Sequence, residues 1–282
     1  MLVDEAIYRY LREDKLPLMW CPGCGNGIIL KTIVRAMAEL ALDPTKTVVV
    51  TGIGCWGKAD DYLGVHTLHC THGRALAYAT GIKAARPELK VIVLMGDGDA
   101  ATIGGNHLIH AARRNIDLTA IVSNNYNYGM TGGQYSGTTP LGSITTTSQY
   151  GTVEEGFDLC NLVIGAGGSY VARGTVFHVK ELKRILVEAI RKKGFSFVDV
   201  INNCPTHFGR NNKMGGPKEM MHRLKEIAVS RQTWERLSAA EKKGKLVIGE
   251  LLDINQPEFT DRYAALRQRA QGNGGGVGTF LR

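Results

Sequence analysis

The sequence predicts an α/β protein with a doubly wound, mainly parallel sheet and a C-terminal extension. Short apolar runs rich in β-branched residues alternate with longer segments of helical periodicity. The runs are apolar at nearly every position, as strands covered on both faces must be. Several of them stop at turns rich in Gly or Asn, and open parallel sheets bind ligands beyond such strand ends.

The elements follow in order. Residues 4–13 read as a short helix leading into a loop, Lys15 to Trp20. Cys21-Pro-Gly-Cys24-Gly-Asn-Gly is too rich in Gly and Pro for regular structure. Ile28 to Leu42 carries apolar residues at helical spacing and ends at Asp43-Pro44. Thr47 to Thr51 is a β-branched strand that stops at Gly52-Ile53-Gly54-Cys55. Thr71 to Arg86 reads as a helix, with Thr71 the expected N-cap and Pro87 the terminator. Lys90 to Met95 is a buried strand, Gly96-Asp97-Gly98-Asp99 a turn, Gly104 to Arg114 a helix and Leu118 to Ser123 a strand. Residues 126–152 are irregular and rich in Gly, Thr, Ser and Tyr, and a loop that long inside a compact domain is commonly functional. Leu162 to Ala166 reads as a short strand, His178 to Lys193 as a helix, and Phe195 to Ile201 as a strand ending at Asn202-Asn203-Cys204-Pro205. The remainder is weakly periodic. The expected division is a ligand-binding domain, 1–209, and a basic extension, 210–282, that wraps the domain or meets a partner. Its end, Gly272 to Gly278, is expected to be mobile.

Composition narrows the class. Hydrophobic residues make up 44% and charged residues 21%, which is ordinary for a globular protein. No apolar run approaches the ~18 residues that span a bilayer, and the charged N-terminus lacks the apolar core of a signal peptide. The expected location is the cytoplasm, with no membrane partner. The formal charge is +8, and residues 210–282 hold 14 Lys/Arg against 8 Asp/Glu, a net of +6. No zinc-finger, RNA-recognition or basic-zipper pattern accompanies that charge, so nucleic acid is not an expected partner. A solvated helical surface or an acidic protein partner accounts for it better.

Asp97 and Asn125 close two successive strands of one strand–helix–strand unit, so both can face one point. Magnesium prefers oxygen ligands and commonly combines one or two protein groups with phosphate oxygens. Asp97 supplies charge and Asn125 a carbonyl, and a backbone carbonyl just beyond completes the protein side. Gly96 and Gly98 let backbone N–H groups approach a diphosphate.

There are six cysteines. In a cytosolic chain, ligation is a better expectation than disulfides. Cys21 and Cys24 share one loop, Cys55 ends a strand, and Cys204 ends another and precedes a proline. Three segments can thus converge on one centre. By spacing alone, zinc and a [4Fe–4S] cluster are both open. Cys70 and Cys160 read as packing residues.

The string GDGDAATIGGNHLIHAARRNIDLTAIVSNNYNYGMTGGQYSGTTP resembles the β subunit of 2-oxoacid:ferredoxin oxidoreductases, and the resemblance covers roughly residues 15–210. It implies a sheet of the thiamine-diphosphate-binding type. It implies that Asp97, Asn125 and the carbonyl of Asn127 hold magnesium, with Gly54, Cys55, His72, Gly96, Gly98 and Asp99 around the cofactor. It implies that Cys21, Cys24, Cys55 and Cys204 ligate a [4Fe–4S] cluster. The activity implied is coenzyme A-dependent oxidative decarboxylation of a 2-oxoacid, closest to the 2-oxoglutarate-using type, with electrons passing singly to ferredoxin. The glutamate that activates the thiamine is then supplied by an α (or fused α/γ) subunit. Lys58 is placed to meet the substrate carboxylate, and His72 to hydrogen-bond cofactor or substrate. Competing readings are a pyruvate or branched-chain oxidoreductase, a non-redox thiamine decarboxylase or synthase, and a zinc-bearing interaction module.

Overall fold

The computed structural model describes residues 3–272. Eight strands form one sheet: β1 (Thr47–Thr51), β2 (His66–His69), β3 (Lys90–Gly96), β4 (Thr119–Asn124), β5 (Tyr170–Thr175), β6 (Ser196–Ile201), β7 (Ala228–Ser230) and β8 (Leu246–Asp253). Ten α-helices accompany them: α1 (Val3–Tyr8), α2 (Asn26–Glu39), α3 (Ala75–Ala85), α4 (Gly105–Arg114), α5 (Leu159–Ala166), α6 (Val179–Arg191), α7 (Pro217–Ile227), α8 (Arg231–Arg236), α9 (Ala239–Lys242) and α10 (Phe259–Gly272).

The strand order is β2-β1-β3-β4-β6-β5-β8-β7, parallel throughout except where β8 runs antiparallel to β5. Strand residues alternate between two faces, and each face carries its own core. Val49, Ile92, Leu94, Ile121, Val198 and Val200 pack with α2 and α6. Val50, Val91, Val93, Val122 and Phe197 pack with α3, α4 and α5. With both faces covered, no position of β3 through β6 beyond the ends of β3 is more than slightly exposed, which is why those runs lack polar alternation.

Register places the site. Gly96 at the end of β3 lies opposite Ser123 of β4, and Asn124 of β4 lies opposite Ile201 of β6. The polar segments that follow β1, β3, β4 and β6 therefore emerge side by side at one sheet edge.

Three expectations need correction. Leu162 to Ala166 is not a strand but the end of α5. Asp158 caps that helix by accepting from Asn161 N–H at 3.0 Å, and Gly167 closes it in the left-handed region. Thr71 does not cap α3, which begins at Ala75. Gly73 breaks the run at φ +72° and gives its N–H to Asp99 Oδ1 at 2.6 Å. The turn after Gly96 is a helical turn, Gly98–Ile103, leading into α4.

Residues 210–272 are tied into the sheet through β8 and β7. The expected mobile end, Gly272 to Gly278, lies almost wholly outside the described residues. Among the described residues, no helix is long and apolar enough to cross a membrane.

Candidate functional site

A cleft of about 620 Å³, counting its open mouth, lies at the ends of β1, β3 and β4. Gly54, Cys55, His72, Gly96, Asp97, Gly98, Asp99, Asn125 and Asn127 all line it, so the structure brings these sequence-predicted residues together. A methyl group on Gly54 or Gly96 would meet nothing within 4 Å. The cleft wall there is bare backbone beside open space, a shape that fits a diphosphate contacted by peptide N–H groups.

Asp97 is 2% exposed, and no Lys, Arg or His among the described residues comes within ion-pairing distance of it. Its Oδ2 accepts from Thr138 Oγ1 at 2.6 Å and from Ser136 Oγ. Burial pushes its carboxyl up to about 6 against the opposing pull of those hydroxyls. A buried acid without a protein counter-charge fits a divalent cation. Asn125 Oδ1 accepts from Asn127 N–H at 3.2 Å, which folds the turn after β4 back over the cleft. Asn127 is 3% exposed, yet among the described residues neither atom of its carboxamide has a partner. Buried amides are normally paired, so this group also faces something the chain itself does not supply.

Asp99 has a different role from Asp97. Its Oδ1 takes Gly73 N–H and lies 2.7 Å from His72 Nδ1. It fixes the loop before α3 and lies beside the imidazole, whose ring packs edge-on against Tyr128 at 5.8 Å. His72 Nδ1 is buried and has no hydrogen-bond partner among the described residues. Lys58 does not line the cleft. Its Nζ pairs with Asp61 at 2.7 Å, and that hydrogen bond holds the ammonium above its usual range.

The four cysteines lie near one another. Cys24 and Cys55 each feel the charge of Cys204 and Cys21, and burial pushes their thiols up to about 12 and about 11. All six thiols are free. Among the described residues, no three His, Cys, Asp or Glu converge tightly enough for a single metal ion. A methyl on Gly129 would lie 3.4 Å from the Cys55 sulfur and 3.5 Å from Asn127 Oδ1. The thiol set and the oxygen-lined site thus share a wall. Cys70 and Cys160 are buried, donating to Thr51 O and Ala172 O.

Sequence reasoning assigned no role to Ser136, Thr138 or Tyr128 in the long loop, or to Asn26, Ser123, Asn202 and Asn203 beneath it. The hydroxyl-rich run Ser136-Gly-Thr-Thr, following the Asn-Asn strand end, was the available signal.

The fold and cleft define a thiamine-diphosphate-binding enzyme domain. Residues 52–200 match the family model described as the C-terminal TPP binding domain of thiamine pyrophosphate enzymes. The chain is 48% identical over 273 residues to the 2-oxoglutarate synthase subunit KorB of Methanothermobacter marburgensis, covering 96% of each. It is 54% identical over 217 residues to the protein of the same name from Archaeoglobus fulgidus, covering 77% of this chain and 79% of that one. Its fold matches a solved 2-oxoglutarate:ferredoxin oxidoreductase from Magnetococcus marinus, with 2-oxoglutarate, coenzyme A and succinyl-CoA bound. The TM-score is 0.83 at 33% identity, over 97% of this chain and 92% of that one. The chain belongs to the β subunits of the 2-oxoacid:ferredoxin oxidoreductases.

Proposed function

We propose that this chain, with an α subunit that supplies the activating glutamate, oxidises 2-oxoglutarate and coenzyme A to succinyl-CoA and carbon dioxide. Two electrons leave one at a time for ferredoxin. The observation that carries the reading is the shared wall at Gly129, where an oxygen-lined site with an uncompensated carboxylate abuts the free thiol of Cys55. Near full-length likeness to 2-oxoglutarate synthase subunits supports the substrate.

Asp97, Asn125 and the Asn127 carbonyl would hold magnesium, and Cys21, Cys24, Cys55 and Cys204 would hold a [4Fe–4S] cluster. When bound, thiamine diphosphate supplies the carbon nucleophile and the cluster accepts single electrons. The chain's own residues do the rest. Ser136 and Thr138 orient the Asp97 carboxylate. Asp99 places its carboxylate beside His72 at the cleft wall. The glycine-lined wall excludes bulk and presents backbone. We place the complex in the cytoplasm, where thiols stay reduced.

The test is a substrate panel on the anaerobically isolated α-with-β complex, measuring coenzyme A-dependent dye reduction. 2-Oxoglutarate is expected to give the highest kcat/KM. A preference for pyruvate or a branched-chain oxoacid would overturn the substrate assignment, and an iron-free active complex would overturn the redox reading.

Lys58 is the candidate cation for the substrate carboxylate, reached by exchanging its exposed partner Asp61 for substrate. Lys58→Ala is expected to raise KM for 2-oxoglutarate about tenfold, the equivalent of ~1.4 kcal/mol, with a smaller change in kcat. An unchanged KM would leave Lys58 a surface residue.

Ferredoxin is expected to approach the basic segment after Cys204. Residues 210–245 hold ten Lys/Arg and four Asp/Glu, and among the described residues only Arg231 of those cations meets a carboxylate, Glu235 at 3.5 Å. Arg223 and Lys245 border a cleft whose floor includes Asn202, Asn203 and Phe208, the neighbours of Cys204. A steered acidic carrier should therefore be sensitive to charge and salt. The double variant Arg223→Glu, Lys245→Glu is expected to raise KM for ferredoxin about tenfold at low ionic strength while leaving dye reduction intact. Equal ferredoxin kinetics at low salt would refute this docking face.

A further inference from the structure

Asn26, Ser123 and Asn202 form a closed triangle between the two halves of the site. Ser123 Oγ donates to Asn26 Oδ1 at 2.8 Å. Asn202 Nδ2 donates to the same oxygen at 2.7 Å and to Ser123 Oγ at 2.9 Å. All three are at most 3% exposed. Each belongs to a different segment of the site. Asn26 opens α2 just past Cys24. Ser123 lines the cleft two positions before Asn125. Asn202 lies two positions before Cys204 and gives its N–H to Asn124 O at 2.8 Å.

The neighbouring backbone is fitted to this triangle. A Cβ on Gly25 would come within 2.0 Å of Asn202 Oδ1, so only glycine lets the cysteine loop close on the end of β6. Asn203 Nδ2 ties the same loop down by donating to Gly23 O at 2.8 Å.

One atom is left over. Asn26 Oδ1 receives two donors, which fixes the flip of its carboxamide and turns Nδ2 the other way. That Nδ2 is buried and finds no acceptor among the described residues. Asn26 itself stands two residues after Cys24, at the first position of α2. An amide donor buried beside a cluster-ligating cysteine, and without a protein partner, needs an acceptor from outside the chain.

Resting on the cluster assignment above, we propose that Asn26 is a positioning residue whose side-chain N–H donates to a sulfur of the cluster, raising its reduction potential. Ser123 and Asn202 hold the amide in that orientation. Hydrogen bonds to cluster sulfurs favour the reduced, more negative state. The triangle also fixes the cluster loop to the strand that carries Asn125.

The test is a redox titration of the cluster's paramagnetic signal in the anaerobic α-with-β complex. Asn26→Ala is expected to retain full iron and sulfide content. Its midpoint should fall by roughly a tenfold shift in the one-electron equilibrium, about 59 mV. Ser123→Ala, which frees the amide without removing it, should shift the midpoint in the same direction by less. Full iron content with an unchanged midpoint in Asn26→Ala would overturn the proposal. Absence of iron and sulfide from the wild-type complex would instead overturn the cluster assignment itself. If the alanine variant does not load, the wild-type complex labelled with ¹⁵N at asparagine side chains decides. A nitrogen coupling at the reduced cluster that Asn203→Asp leaves in place supports Asn26 as the donor, and no coupling refutes it.

Discussion

Asp97→Ala is expected to remove thiamine diphosphate binding and lower the complex's oxidation of 2-oxoglutarate by about a hundredfold to a few thousandfold. Removing one partner of a buried charge pair costs about 3–5 kcal/mol, and each ~1.4 kcal/mol is a factor of ten. Asp97 is buried in the cleft with no Lys, Arg or His within ion-pairing distance among the described residues, so under the proposed assignment its partner would be the cation. The measurement is titration calorimetry of the complex with thiamine diphosphate at fixed magnesium, beside steady-state turnover. Ser136→Ala and Thr138→Ala test the same arrangement more gently. They leave the carboxylate in place but release its orientation, and each is expected to weaken magnesium binding about 10- to 100-fold. Unchanged cofactor affinity in Asp97→Ala would sink the assignment. A general loss of folding is checked by the iron content, which the proposed cysteine ligands would control separately.

The contrast between Asp97 and Asp99 shows where sequence reading reaches its limit. Both belong to one Gly-Asp-Gly-Asp turn, and the pattern alone places both around the cofactor. Only the folded chain brings Gly73 and His72 onto Asp99, which makes it a loop anchor, and leaves Asp97 to the hydroxyls of a loop some forty residues on. Strand ends are local features, and the apolar runs of β1, β3, β4 and β6 declared them. The partners that sort one carboxylate from another arrive through tertiary contact and leave no periodic trace.

The errors in the fold have the same origin. The run Leu159-Cys-Asn-Leu-Val-Ile-Gly-Ala is short and apolar, and periodicity cannot separate a buried helix from a strand at that length. Its caps, Asp158 and Gly167, were the readable signal. β5 was missed because Arg173 and Gly174 interrupt its apolar pattern. Arg173 is tolerated there because it pairs with Asp199 at 3.2 Å and Asp158 at 2.5 Å, which compensates its buried charge. Asp199 in turn accepts from Asn124 Nδ2 at 3.2 Å, so this ionic pair braces the strand end that carries Asn125. β2, His-Thr-Leu-His, is a polar edge strand and has no burial signature to read.

Cys204→Ala is expected to separate the two halves of the chemistry. Thiols in one neighbourhood repel as thiolates, and burial raises Cys24 and Cys55, so those two stay protonated when unloaded. A cluster reverses this by supplying positive iron to every sulfur. Losing one proposed ligand would leave three, and Cys204 is the buried one of the four, on the short segment between β6 and the helical turn Pro205–Gly209, so its loss should be the least repairable. Iron in the complex is expected to fall from about four atoms per β chain to near zero. Visible absorbance and ferredoxin reduction should vanish with it. Asp97, Ser136 and Thr138 do not depend on the cysteine loop, so thiamine diphosphate affinity should change by less than about twofold. Carbon dioxide release from labelled 2-oxoglutarate in a single turnover should survive, because the oxygen-lined cleft remains whole. Ferredoxin reduction persisting in an iron-free variant would remove the cluster from the reaction. Joint loss of thiamine diphosphate binding would show instead that the wall at Gly129 couples the two sites, and that the cluster helps build the cleft beside it.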